Sequence, residues 1–208
     1  DECSTGFRSA YGGMHLNYGI NPDLAMFGKA LGNGYAITAV LGVESIMKEA
    51  TNTFISSTFW TEAVGPAAAI ATLEEMKAKR SWEMLPVIGA AVKSIWKDAS
   101  LNSGIHIQIS ALALNLPIEV GGFPAISSFK FDSKDNLAYK TFITQEMLKK
   151  GYLASNIFYV STAHNDFLLK EYFENLNDVF VKLKKIIEQN TVLINLDGPI
   201  VKTGFGRL

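Results

Sequence analysis

Leu24-Ala25-Met26-Phe27 is a short, unbroken apolar run closed by Pro22-Asp23 on one side and Gly28-Lys29 on the other. Such a run suits a strand buried on both faces, as in a parallel sheet. A second run, Ala39-Val40-Leu41-Gly42-Val43, is reached through a Gly32-Asn33-Gly34 turn. After the loop Ser56-Ser57-Thr58, residues 63–79 are rich in Ala, Leu, Met, Glu and Lys, which predicts a helix. Residues 1 to about 80 therefore read as part of a parallel α/β layer.

From Ser81 the character changes. Ser81 reads as a helix N-cap, followed by Met84, Leu85, Ile88, Ala91, Val92, Ile95 and Trp96 at helical spacing as far as Gly104. Ile105-His106-Ile107-Gln108-Ile109 alternates apolar and polar, the mark of a strand with one wet face. Gly121-Gly122-Phe123-Pro124 turns the chain into a second strand, Ile126 to Phe131. A helix through Phe142, Ile143, Met147 and Leu148 stops at Lys149-Lys150-Gly151. The last long helix starts near Asn165-Asp166 and lines up Leu168, Leu169, Tyr172, Phe173, Leu176, Val179, Phe180, Leu183 and Ile187. Residues 81–208 are expected to form a small α+β domain, with a tail from about residue 191.

Composition narrows the function classes. Among 208 residues, 19 Lys and Arg face 20 Asp and Glu, a net charge of −1. A nucleic-acid binder would need a basic face, so that class is set aside. The single cysteine, Cys3, cannot form an internal disulfide. The richest apolar stretch, Ala63 to Leu73, holds Gly65, Pro66 and Thr72 and is far short of the roughly 18–20 residues of a membrane span. Charged residues make up 19% of the chain, below the usual 25% or so, which implies surface covered by something outside it.

Lys29 is the first residue to weigh for chemistry. It follows a strand at its carboxyl end, where ligands bind in α/β sheets. Partial desolvation there would favour the neutral, nucleophilic amine. The alternative is a lysine whose head reaches from a strand end into water. A Walker loop is excluded because Asp23 and Ala30 stand where Gly and Ser or Thr are required. A dinucleotide loop is excluded by Ile37 in place of its third glycine, which leaves a nicotinamide oxidoreductase without support. Ser56-Ser57-Thr58 could meet a phosphate or simply cap a helix. His15 and His106 have no metal-ligand spacing, His164 fits helix-start chemistry, and Cys3 has no evident activating base.

Taken in order, three segments carry a resemblance: Asp1-Glu2-Cys3-Ser4-Thr5-Gly6-Phe7-Arg8, Asp23 through Tyr35 around Gly28-Lys29-Ala30, and Ser56-Ser57-Thr58-Phe59-Trp60. Together they resemble the class III aminotransferase family, with the glutamate-1-semialdehyde 2,1-aminomutase branch as the best likeness. Lys149 to Ala154 and Ser161 to Asp166 fit the small domain of that branch. The implied fold class is α/β: the rear part of a fold type I large domain, with a mostly parallel sheet, then a small α+β C-terminal domain.

The resemblance implies pyridoxal phosphate (PLP) as cofactor. Lys29 would form its Schiff base and later carry the proton for the amino shift. Asp1 would pair with the pyridinium nitrogen, and Cys3 would lie against the ring. Ser4 stands where many members have Gln near the ring hydroxyl, a departure from the family's pattern at that contact. Thr58, helped by Ser57, would reach the phosphate of a neighbouring subunit's cofactor, which implies a homodimer with shared active sites. The expected reaction is amino-group transfer on a small donor and acceptor, by transamination or a 1,2-amino shift, in the cytoplasm. In the family Asp1 lies near mid-chain, so these 208 residues are expected to be a partial chain. The competing expectation is a catalytically incompetent domain that keeps the fold and self-associates.

Overall fold

A computed structural model describes residues 1–105, 107–111, 123, 125–202 and 204. The chain forms two compact units, Asp1–Pro86 and Val87–Leu208. The division falls at Pro86, inside a helix, where proline has no N–H to donate to the preceding turn.

In the first unit, β1 (Leu24–Phe27) pairs antiparallel with β2 (Ala39–Gly42), with Leu24 opposite Gly42 and Phe27 opposite Ala39. Ala25 and Phe27 are buried, whereas Leu24 and Met26 are each 45% exposed. The expectation of a strand covered on both faces is corrected here. An apolar run specifies that a strand avoids water, yet only the face carrying Ala25 and Phe27 meets a core, made with Leu31 and Ala69. The local pairing is antiparallel because the Gly32–Gly34 turn brings the chain directly back along β1. Short α1 (Glu44–Glu49), which has no clear signal in the sequence, follows β2.

Next comes α2 (Val64–Lys79), which buries Gly65, Ala69 and Met76. Gly65 lets the helix start approach the Ala36 carbonyl; a Cβ there would sit 2.7 Å from that oxygen. Arg80 turns left-handed at the end of α2, and α3 (Ser81–Ser103) begins at once. Ser81 is therefore inside the helix rather than capping it, and its buried hydroxyl makes no hydrogen bond. Arg80 pairs instead with Glu83 one turn on.

The second unit is built on a fully antiparallel sheet in the order β3 (Ile107–Ala111), β4 (Ile126–Phe131), β5 (Ile157–Tyr159). His106 and most of the expected Gly121–Pro124 turn lie outside the described residues. Along β4, Ser127, Phe129 and Phe131 face the core, while Lys130 is exposed. Against that face pack α3, α4 (Asn136–Lys149) and α5 (Asp166–Glu188). Phe129 stands edge-on to Trp96 at 4.9 Å and to Phe131 at 5.6 Å. From α5, Leu169, Tyr172, Leu176, Val179, Phe180 and Leu183 are buried, a spacing of three and four that defines one helix face. Leu168, grouped with that face in the sequence, is 42% exposed, while its neighbour Leu169 is buried.

The helix ends follow their sequence signals. The Asn165 side chain accepts from the Leu168 N–H at 3.0 Å, an N-cap. Gly151, at φ +88°, lets the Gly151 and Tyr152 amides close the end of α4 on the Leu148 and Met147 carbonyls. Beyond α5 the tail lies on α4. Gln145 donates to the Asn195 carbonyl at 3.0 Å and accepts from the Asp197 N–H at 2.7 Å. Among the described residues, no helix is long and apolar enough to cross a membrane.

Candidate active site

The turn at residues 1–8 is pinned from several sides. Glu2 N–H donates to the Met26 carbonyl of β1 at 2.7 Å, which docks the segment on the strand. The Asp1 carboxylate accepts from Cys3 N–H at 2.8 Å, so its orientation is set by its own turn. Gly6 N–H returns to the Glu2 carbonyl at 2.7 Å, and Arg8 Nε donates to the Ser4 carbonyl at 2.7 Å. Gly6 is required by close approach: a Cβ there would stand 2.6 Å from Phe27 Cδ1 and 2.8 Å from the Glu2 carbonyl oxygen.

Beneath this turn is a buried carboxylate that the sequence reading missed. Glu2 accepts from the Thr5 hydroxyl, from His15 N–H at 3.0 Å, and pairs with His15 Nδ1 at 2.9 Å. Burial alone would raise the Glu2 pKa. Hydrogen bonds from Thr5, His15 and the Met14 backbone outweigh it and hold the carboxyl below the usual range. No local signal announces a partnership between residues this far apart; only the path of the loop creates it.

Lys29 follows β1 directly. Its backbone is left-handed, at φ +43°, and opens a single 3-10 turn, Lys29–Leu31. The Lys29 carbonyl accepts from Gly32 N–H at 3.2 Å and Asn33 N–H at 3.0 Å, which holds this uncommon conformation in place. The Lys29 Nζ donates to the Ser4 hydroxyl, joining the strand end to the turn that carries Asp1. Lys29 is exposed, so the expected desolvation of its amine is not seen in this chain. Its head leaves the strand end and meets the Ser4 hydroxyl of the turn. Half-buried Cys3 lies over the same strand end, with its sulfur 3.5 Å from where a Cβ on Gly28 would stand.

The remaining candidates lie apart. Ser57 and Thr58 are exposed, and the Ser57 hydroxyl accepts from Phe59 N–H at 3.2 Å. Among the described residues no hydrogen bond joins either to Asp1, Ser4 or Lys29. The first amides of α2 are engaged by Glu62, whose carboxylate accepts from Val64 N–H at 2.7 Å. Any anion at this loop would therefore meet the hydroxyls rather than the helix start.

In the second unit His164 accepts from Ser161 N–H at 3.0 Å and lies tilted at 56° against Phe158, ring centroids 4.6 Å apart. Burial lowers its imidazole below the usual value. It lines an aromatic cavity of about 570 Å³ with Tyr152, Phe158 and Tyr172, which holds none of the predicted site residues. No group of three or more metal-ligating side chains occurs among the described residues.

Comparison with known proteins shows the family and the fold. A family model, aminotransferase class-III, matches residues 1–107. The chain is 29% identical to 3-aminobutyryl-CoA aminotransferase of Cloacimonas acidaminovorans (strain Evry), over 90% of this chain and 44% of that protein. It is 32% identical to glutamate-1-semialdehyde 2,1-aminomutase of Desulfosudis oleivorans, over 80% of this chain and 40% of that one. The chain thus spans less than half the length of these relatives. Among solved structures it is similar to the FumI protein of Sphingopyxis sp. MTA144 in its PLP internal aldimine form. That match has a TM-score of 0.77 and 26% identity, covering 90% of this chain and 43% of FumI. An omega-transaminase from Sphaerobacter thermophilus matches with TM-score 0.74 at 17% identity, covering 89% of this chain and 44% of that one. The fold is α/β, the fold type I of PLP transaminases.

Proposed function

Because the chain belongs to the class III aminotransferase family, a family of PLP-dependent aminotransferases and aminomutases, we propose that it serves PLP-dependent amino-group transfer with Lys29 as the residue that holds the cofactor. The observation that carries this reading is the junction of Lys29 Nζ with the Asp1–Ser4 turn. It brings an amine, an oriented carboxylate and a thiol to one strand end, a donor set that fits the cofactor. When bound, PLP supplies an electron sink for the carbon bearing the amino group.

Each residue then has a task its position supports. Lys29 Nζ would hold the cofactor covalently, and its amine would move a proton as general acid and base. Asp1, whose carboxylate is oriented by Cys3 N–H, would pair with the pyridinium nitrogen and keep it protonated. Cys3, over the same strand end, would lie against the ring. Ser57 and Thr58, exposed and among the described residues not hydrogen-bonded to Lys29, would meet the phosphate of a neighbouring subunit's cofactor, so the working unit is a homodimer. Residues 1–80 belong to the cofactor domain and 81–208 to the small domain. The substrates are a small amino donor and acceptor in the cytoplasm, and the matched relatives include both transfer and internal-shift enzymes.

Borohydride reduction of the PLP-loaded protein, followed by peptide mapping, tests the assignment. The pyridoxyl label is expected on Lys29 and absent from Lys29→Ala. Label on another lysine, or an unchanged reducible band in Lys29→Ala, overturns it.

A further inference from the structure

We infer that Ser4 is a positioning residue for Lys29, its hydroxyl seating the amine on the turn that carries Asp1. The inference rests on the reading of Lys29 given above and deepens it. Lys29 is exposed, and a lysine stem with four rotatable carbons would sample many positions if its head were free. Its backbone is not free, since two amides hold the carbonyl and fix where the stem begins. The hydroxyl of Ser4 fixes where it ends.

Ser4 can act as a seat because it stands on a rigid support. Its own carbonyl accepts from Arg8 Nε at 2.7 Å, and one residue back Cys3 N–H is held by Asp1 at 2.8 Å. The whole turn is tied to β1 through Glu2 N–H and the Met26 carbonyl at 2.7 Å. The amine and the Asp1 carboxylate are therefore referred to one backbone segment. A hydroxyl also suits a group that gains and loses a proton. It accepts from an amine N–H in the charged and the neutral state, and can donate to the neutral nitrogen's lone pair. Neither an alkyl side chain nor a carboxylate has that range.

The test uses the full chain in four forms: wild type, Ser4→Ala, Ser4→Thr and Lys29→Ala. Trace acetylation without cofactor, read by peptide mass spectrometry, compares Lys29 with the exposed Lys48 and Lys79 as internal references. Loss of one hydrogen bond is expected to raise Lys29 labelling about threefold in Ser4→Ala, with the wild-type ratio restored in Ser4→Thr. PLP uptake, read as borohydride-fixed label on the Lys29 peptide, is expected to slow about threefold in Ser4→Ala and recover in Ser4→Thr. General loosening of the turn would not give opposite changes that a hydroxyl alone restores. Equal behaviour of wild type and Ser4→Ala, or Ser4→Thr matching Ser4→Ala, overturns the inference while leaving Lys29 labelled. Absence of pyridoxyl label from wild-type Lys29 overturns the functional reading instead, and the acetylation ratio still decides the seat.

Discussion

Trp96 Nε1 donates a 2.8 Å hydrogen bond to the Tyr172 hydroxyl, linking α3 to α5 at the centre of the second unit's core. Both residues are buried, and burial pushes the Tyr172 phenol well above its ordinary value, so it stays protonated. Tyr172→Phe leaves the indole N–H without that partner and is expected to cost about 1–3 kcal/mol. Trp96→Phe removes volume as well and should cost more, about 2–4 kcal/mol. The double variant should lose less than the sum of the singles, since each removes the same bond. Urea unfolding of all four proteins measures this; strict additivity would contradict it.

Glu2 gives the first unit an acid-sensitive brace. Its carboxyl lies below the ordinary value when folded, so the unfolded state binds more protons in that range. The stabilisation is complete above the unfolded value and fades as pH falls through the folded one. Glu2→Gln should destabilise by about 1–2 kcal/mol at neutral pH and by less at a pH below the ordinary carboxylate range. Urea midpoints at the two pH values check the sign; a gap that widens on acidification would refute it.

Gly6 tests the packing of the Asp1 turn on β1. In Gly6→Ala the new methyl meets both the Phe27 ring and the Glu2 carbonyl oxygen, and backbone oxygen cannot yield as a side chain can. A loss of about 1–3 kcal/mol is expected. The same change should disturb the Ser4–Lys29 contact, raising acetylation of Lys29 relative to Lys48.

The Gln145 side chain ties the tail to α4. Gln145 bonds two backbone groups of the tail, and Thr141 accepts from Val201 N–H at 2.9 Å. The exposed ion pair of Lys149 with Asp197 should contribute little. Gln145→Ala is therefore expected to speed hydrogen exchange and proteolysis across residues 190–202 more than Lys149→Ala does. Equal effects would contradict that ranking.

Local signals carried much of this architecture. Apolar residues recurring at three and four placed the buried face of α5, and Asn165 and Gly151 marked helix ends through groups that only neighbouring residues supply. Failures occurred where a local reading met a non-local fact. Ser81 looks like a cap in sequence, but the left-handed Arg80 had already started the next helix. Leu24 and Met26 read as core, but only the other face of their strand has one.

The same division runs through the candidate site. By itself the sequence determined that Lys29 follows a strand end beside glycines and that an acidic turn opens the chain, because composition and spacing are properties of neighbours. Tertiary structure alone decided that Ser4 receives the amine, that His15 closes on Glu2, and that β1 runs antiparallel to β2. Those contacts depend on where a loop brings distant residues, and short-range periodicity and propensity hold no record of that path.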